Sequence, residues 1–261
     1  MTPVEAMRLR ASNVALADRV AAIIAGFSGP KVWYDPSDLS TLQQDSAGTV
    51  PVASAGDPIG RILDKSGAGN HATQVTTTSR PLWQTTYAAF DGVNKSWGTS
   101  AINFTGTNQV TVIVGLRKLS DAATAVIAEL SANLAVNNGS FFVAGPNGGT
   151  SLSFAARGTA TGQNSPTGYP APISAVVTGR ADIGASTTSL RINGAQAAST
   201  ATSLGSGNFG NYPFFIGRRS NASLPFNGNL YGLIGIGRFL TPEEQWYCER
   251  YMAQQTGIVL P

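Results

Sequence analysis

The 261-residue sequence predicts an all-β fold, an antiparallel sandwich with one helix near each end of the chain. Three observations carry that expectation. Charged residues make up 12% of the chain, about half the roughly 25% usual in soluble domains. Thirty glycines and 14 prolines are spread along it, dividing it into short segments. Many of those segments are β-branched or aromatic runs bounded by Gly, Asn, Pro or Ser, the texture of strands joined by turns.

The first element is a helix. Thr2-Pro3-Val4-Glu5 combines an N-cap threonine, a proline at the first helical position and a glutamate placed for a capping box. Gly26 stands where a glycine ends a helix. From the first turn to just past Gly26, Ala6, Leu9, Asn13, Leu16, Val20, Ile23 and Phe27 alternate spacings of three and four, which is a heptad seam. The second half is apolar nearly all round, interrupted by Asp18 and Arg19, and a helix without a polar face needs cover on several sides. Packing on its own domain and docking to partner chains both supply that cover. The docking alternative makes Leu9, Asn13, Leu16, Val20, Ile23 and Phe27 attachment or oligomerisation residues, with Asn13 fixing register at an a-type position.

Strands follow Gly29-Pro30: KVWY (31–34), VTVIVGLR (110–117), TAVIAEL (124–130), SFFVA (140–144), SLSFAA (151–156), ISAVVTGR (173–180), TSLRIN (188–193), PFFIGRR (213–219) and NLYGLIGIGR (229–238). Asn193-Gly194 between SLRI and AQAAS is a two-residue type I′ hairpin signal. With no helical pattern between them, such strands form an antiparallel sandwich. A short helix closes the chain. Thr241-Pro242-Glu243-Glu244 repeats the capping box, Tyr247, Cys248, Tyr251 and Met252 share an apolar face, and Gly257 ends it.

Composition narrows the function. The net charge of +3 comes from scattered basic residues without a run, and a phosphate-tracking surface needs clustering, so no nucleic-acid partner is expected. A single cysteine, Cys248, excludes an internal disulfide and any multi-cysteine metal site, and reads as a small core residue. No stretch reaches the roughly 18 uninterrupted apolar residues of a membrane span. The N-terminus lacks the basic n-region of a signal peptide, so Asn94-Lys95-Ser96, Asn103-Phe104-Thr105 and Asn221-Ala222-Ser223 read as chance matches to the glycosylation pattern.

Four segments, in order, resemble a known family. LDKSGAGNHATQ (63–74), AFDGVNKSW (89–97), SLRINGAQAA and FFIGRRSNASLPFNGNLYGLIGIGRFLTPEEQWYCERY are similar to segments of the concanavalin A-like, laminin-G-like jelly rolls. The opening VWYDPSDLSTLQQDSAGTVPV (32–52) resembles the version found in tailed-bacteriophage virion proteins. The resemblance implies a jelly roll over residues 31–261, while residues 1–30 lie outside it and are expected from their own seam to be an attachment and oligomerisation helix. It also implies a non-enzymatic part of a virion, in a fibre, baseplate or decoration protein, that contacts host-surface glycan. Other virion proteins are the expected partners of the helix, and a homotrimer is the expected assembly.

The residues available for chemistry are few. A retaining glucanase on this fold needs two carboxylates about 5 to 5.5 Å apart, supplied by a Glu-x-Asp-x-Glu pattern. The glutamates are Glu5, Glu129, Glu243, Glu244 and Glu249, and none lies in that pattern. His71, the sole histidine, is set among Gly67, Gly69 and Asn70, which are turn formers. The stretch reads as a tight loop whose Asp64 and Ser66 bond the backbone. GSGNFG (205–210) matches a dinucleotide fingerprint, but a polar run precedes it and Pro213 follows where a helix should start. No catalytic residue and no cofactor are expected. Asp91 and Asn94 are weak calcium candidates, short of the six to eight oxygens that ion takes. Trp97, Tyr169 and Tyr212 are the candidate sugar platforms. The alternatives are a free-standing carbohydrate-binding or adhesin module and a glycan hydrolase with a non-standard site.

Overall fold

The structure, a computed structural model, describes residues 16–261. Helix α1 occupies residues 16–25 of this region. Seventeen strands follow: β1 (Lys31–Tyr34), β2 (Leu42–Gln43), β3 (Arg61–Ile62), β4 (Ala72–Thr73), β5 (Leu82–Trp83), β6 (Ala88–Asp91), β7 (Trp97–Asn103), β8 (Gln109–Lys118), β9 (Val126–Leu130), β10 (Ser140–Ala144), β11 (Ser153–Arg157), β12 (Thr161–Asn164), β13 (Ile173–Asp182), β14 (Thr187–Ile192), β15 (Ala195–Thr200), β16 (Asn211–Ile216) and β17 (Asn227–Ile236). Helix α2 (Pro242–Thr256) closes the chain.

The strands make two antiparallel sheets packed face to face. An eight-stranded sheet runs β15-β14-β13-β8-β17-β6-β5, with β1 also paired to β17, and a nine-stranded sheet runs β12-β11-β10-β9-β16-β7-β4-β3-β2. The expected sandwich with terminal helices is what forms. Strand alternation divides the buried residues into layers. Val32, Tyr34, Val112, Val114 and Leu233 point between the sheets with Trp97, Phe141, Phe154 and Phe214. Their neighbours Trp33, Ile113, Val176, Ile234 and Ile236 point outward and form a second core with Val20, Ile24, Cys248, Tyr251 and Met252 of the two helices.

Both helices therefore lie on the outside of the eight-stranded sheet. α2 approaches closely because β8 and β17 pair Gly115 with Gly232 beneath it. A Cβ at Gly232 would sit 2.7 Å from Met252 Sδ, and one at Gly115 3.1 Å from Thr256 Cγ2. α2 has the predicted ends: Thr241 and Glu244 form the reciprocal capping box, and Gly257 takes φ 73°. Tyr251 Oη donates to the buried Asp35 carboxylate at 2.6 Å, which also pairs with Lys65 at 2.8 Å. Burial first, then the Asp35 charge, pushes the Tyr251 hydroxyl far above its ordinary range.

The attachment reading of the first helix changes where the structure describes it. Leu16 and Val20, expected to face a partner, are buried in the outer core of this chain, and Ile24, outside the predicted seam, joins them. The spacing 16, 20, 24 makes one stripe, which a single flat sheet face covers. Ile23 and Phe27 are half-buried at its margin, while Ala21, Ala22 and Ala25 face outward. An exposed alanine satisfies a helix at no cost in propensity, so the apolar surface there needs no second cover. Lys31 Nζ donates to Ile24 O at 2.9 Å and to Phe27 O, closing the helix end. Gly26 ends α1 without the left-handed φ that a C-cap glycine commonly takes. Leu9, Asn13 and the first capping box lie outside the described residues.

Candidate functional site

The loop at residues 64–71 is a structural staple. Asp64 Oδ1 accepts from the amides of Trp33 and Ser66, both at 2.9 Å, and Oδ2 accepts from Ser66 Oγ at 2.7 Å and the Asn70 amide at 3.0 Å. Asn70 Nδ2 donates to Lys31 O at 3.0 Å, so residues 64–70 are tied to β1. Gly67 and Gly69 take φ 81° and 76°, the left-handed region that lets the loop turn this tightly. His71 Nδ1 accepts from the Asp64 amide at 3.0 Å, and burial, then Arg61, holds its pKa below the ordinary value.

Of the three predicted sugar platforms, Trp97 is unavailable. Trp97 is fully buried and its Nε1 donates to Ile59 O at 2.8 Å, so no ring face is left for a ligand. Its apparent loop setting misled, because Trp97 begins β7 and points between the sheets. Tyr169 and Tyr212 are half-buried against the same core, with Tyr212 Oη donating to Asn138 O at 2.9 Å. Asp91 spends Oδ1 on the amides of Val93 and Asn94, at 2.9 and 3.1 Å, in a turn of its own. No cluster of three metal-ligating side chains occurs among the described residues.

A different group converges on the outer face of the nine-stranded sheet. Register places Ala155, Phe142, Glu129, Phe215 and Gly98 in one row across β11, β10, β9, β16 and β7. Glu129 sits at its centre and is fully buried, because the 131–139 loop folds over it and lays Leu134 on Phe142, Ala144 and Ala155. Its Oε1 accepts from the Leu134 amide at 2.6 Å and its Oε2 from Arg219 Nε at 2.8 Å. Burial raises the Glu129 carboxyl above its ordinary range, and Arg219 and the amide pull it partly back.

Arg219 spends only Nε on that carboxylate, so its two terminal nitrogens make no protein hydrogen bond among the described residues. The side chain retains 20% of its exposure. Beside it lie half-buried Phe215 and Asn221, whose Nδ2 would be 2.9 Å from a Cβ at Gly98, and Asn221 Oδ1 has no partner. The loop carrying Arg219 is strained: Ser220, Asn221 and Leu224 take φ of 53°, 54° and 52°. Left-handed backbone costs roughly 1–2 kcal/mol in a residue such as leucine, and such strain gathers where a loop must hold a set geometry. The sequence carried a signal for this site that residue counting passed over. A lone glutamate inside the otherwise apolar TAVIAEL demands a buried cationic partner, and GRRSNAS supplies one.

Comparisons fit the fold. No family model matches the sequence, and no curated protein matches it. Among solved structures the chain is similar to a Trypanosoma rangeli sialidase, with TM-score 0.57 and 10% identity over 97% of this chain and 39% of that one. It is also similar to an arabinofuranosidase complexed with arabinofuranosyl-alpha-1,2-xylobiose, with TM-score 0.54 and 14% identity over 76% of this chain and 51% of that one. A third is the binding domain of Botulinum neurotoxin serotype D, at TM-score 0.53 and 12% identity over 74% of this chain and 48% of that one. The chain spans about half the length of these structures or less. At these identities the likeness is one of fold, a β-sandwich.

Proposed function

We propose that this chain is a non-enzymatic glycan-binding sandwich, and that its place is in a bacteriophage virion as part of a fibre, baseplate or decoration protein. The observation that carries glycan binding is Arg219. Its guanidinium is fixed by a buried carboxylate while its terminal nitrogens stay open, beside the half-buried side chains of Phe215 and Asn221. Apolar surface beside a few placed donors and acceptors is what a sugar ring requires of a site. Two neighbours in fold, an enzyme complexed with an arabinofuranosyl-xylobiose and a toxin binding domain, are consistent with that use.

The non-enzymatic reading rests on Glu129. Both its oxygens are engaged, by the Leu134 amide and by Arg219, which leaves no free carboxylate oxygen on it to act as acid or nucleophile. Glycoside hydrolysis commonly uses a carboxylate pair flanking the bond. The virion setting rests on the resemblance of residues 32–52 and on nothing else.

Purified full-length protein tested on an array of bacterial surface polysaccharides should bind a subset saturably, without releasing reducing ends. Arg219→Gln should reduce that binding about tenfold, the scale of a lost charge-assisted contact. Absence of binding, or equal binding by the folded variant, overturns the site; release of reducing ends overturns the non-enzymatic reading. Particles purified from infected cells should contain the chain if the virion setting is right.

A further inference from the structure

A second polar site lies on the other sheet, at a distance along the chain from Arg219. On the outer face of the eight-stranded sheet, β13, β14 and β15 place Arg180, Ser189 and Ser199 directly opposite one another. These residues, with Thr187, Thr200 and the ring of Phe239, line a pocket of about 300 Å³. The Arg180 guanidinium stacks on Phe239, 4.1 Å from the ring centroid. That contact fixes its plane and leaves its edge to the pocket.

The charge on Arg180 is not neutralised. No carboxylate lies within 4.0 Å of it among the described residues, and its contact to Gln245 Oε1 is long, at 3.4 Å. Its Nε is buried without a partner. The nearest acids are committed elsewhere. Glu249 pairs with Arg191 at 2.9 Å and accepts from Gln245 Nε2 at 3.1 Å. Asp182, on the same face of β13, accepts from Gln109 Nε2 at 2.7 Å and from the Ala185 amide at 2.8 Å. Burial, then the neighbouring Arg191, disfavours the charge on Arg180, and Glu249 offsets this only in part, so a bound anion would relieve an existing cost. The hydroxyls of Thr187, Ser189 and Ser199 have no protein partner among the described residues, so they are free to donate.

We propose that the Arg180 pocket is an anion-recognising subsite that takes the carboxylate of an acidic sugar residue. The guanidinium holds the oxyanion, and the hydroxyl row on β14 and β15 bonds the sugar's own hydroxyls. A pocket of this size admits one monosaccharide unit. That the anion is borne by a sugar rests on the glycan reading above; the anion site itself rests only on the pocket.

The test is titration of the full-length protein, by calorimetry or NMR, with sodium glucuronate, glucose and sodium sulfate. Glucuronate should bind saturably and glucose about tenfold more weakly or not at all. Arg180→Gln should lose the glucuronate response, and so should Ser189→Asp, which sets a competing carboxylate opposite Arg180 at an accessible position and keeps the fold testable if Arg180→Gln does not fold. Arg250→Gln, at an exposed position of α2 outside the pocket, should leave the response unchanged. Equal glucuronate binding by either folded pocket variant, or no glucuronate binding by the native chain, overturns the proposal. Sulfate binding without glucuronate binding overturns the sugar assignment, and a response lost with Arg219→Gln instead moves the acid to the other sheet. Polysaccharide binding that fails while glucuronate binding persists at Arg180 overturns only the Arg219 reading.

Discussion

At the scale of single residues, the polar side chains that matter are those whose partners are backbone. Asp64 accepts four hydrogen bonds, three of them from amides. Asp64→Ala strands those donors in a buried loop and should cost about 3 kcal/mol of stability in urea denaturation. His71→Ala removes one acceptor from the same loop and should cost about 1 kcal/mol. Equal losses would mean that the histidine, and not the aspartate, organises the turn. Glu244 gives a pH dependence. Its hydrogen bond to Arg238, first, and then to Thr241 hold its carboxyl at about 2 against an ordinary 4.5. A carboxyl depressed on folding stabilises above its unfolded pKa, and that contribution disappears as pH falls from 4.5 toward 2. The melting temperature should therefore fall below about pH 4.5, and Glu244→Gln, which can still cap Thr241, should show a shallower fall.

At the scale of elements, the described half of α1 shows how a periodic pattern fixes conformation without fixing what covers it. Val20 is fully buried and Ile24 is 2% exposed on the outer face of the eight-stranded sheet. Val20→Asp buries an unpaired carboxylate against Trp33 and Ile234, and should lower stability by about 3 kcal/mol or more. Unchanged melting would return the helix to a partner chain. Strand placement divides along similar lines. β1 and β10 match their sequence runs residue for residue, and the Asn193-Gly194 turn has both φ positive, at 51° and 78°. Those segments are buried on both faces or carry a turn that only one conformation closes. β2, β3, β4 and β5 are pairs of residues, and β12 is TGQN. Their conformation comes from register with neighbours, which no local pattern records. The Arg219 site was hidden for the same reason: Glu129 and Arg219 are 90 residues apart and meet only through sheet topology. Trp97 failed in the opposite direction, since a loop-like neighbourhood said nothing of which side its strand turns inward.

At the scale of the whole molecule, the question is whether the helical layer and the sandwich are one cooperative unit. The two cores share their strands. Trp33 faces the helices while Val32 and Tyr34 on either side face the second sheet, and Ile113 does the same between Val112 and Val114. Lifting the helices off would expose Trp33, Ile113, Val176, Ile234 and Ile236 together. At about 2 kcal/mol for each large apolar side chain returned to water, the penalty is comparable with the whole stability of a typical domain, about 5–15 kcal/mol. The Tyr251 bond to Asp35, just past β1, and the Arg191 pair with Glu249 fasten α2 to the end of β1 and to β14 of the same sheet. Helix loss and sheet loss should therefore coincide. In urea titrations, the helical and sheet components of the circular dichroism and tryptophan fluorescence should give one midpoint, and Cys248, whose thiol burial pushes up to about 12, should react with a disulfide reagent only across that transition. A helical midpoint at lower urea than the fluorescence midpoint, with early Cys248 labelling, would mean that the outer layer detaches alone and that the sandwich stands without it.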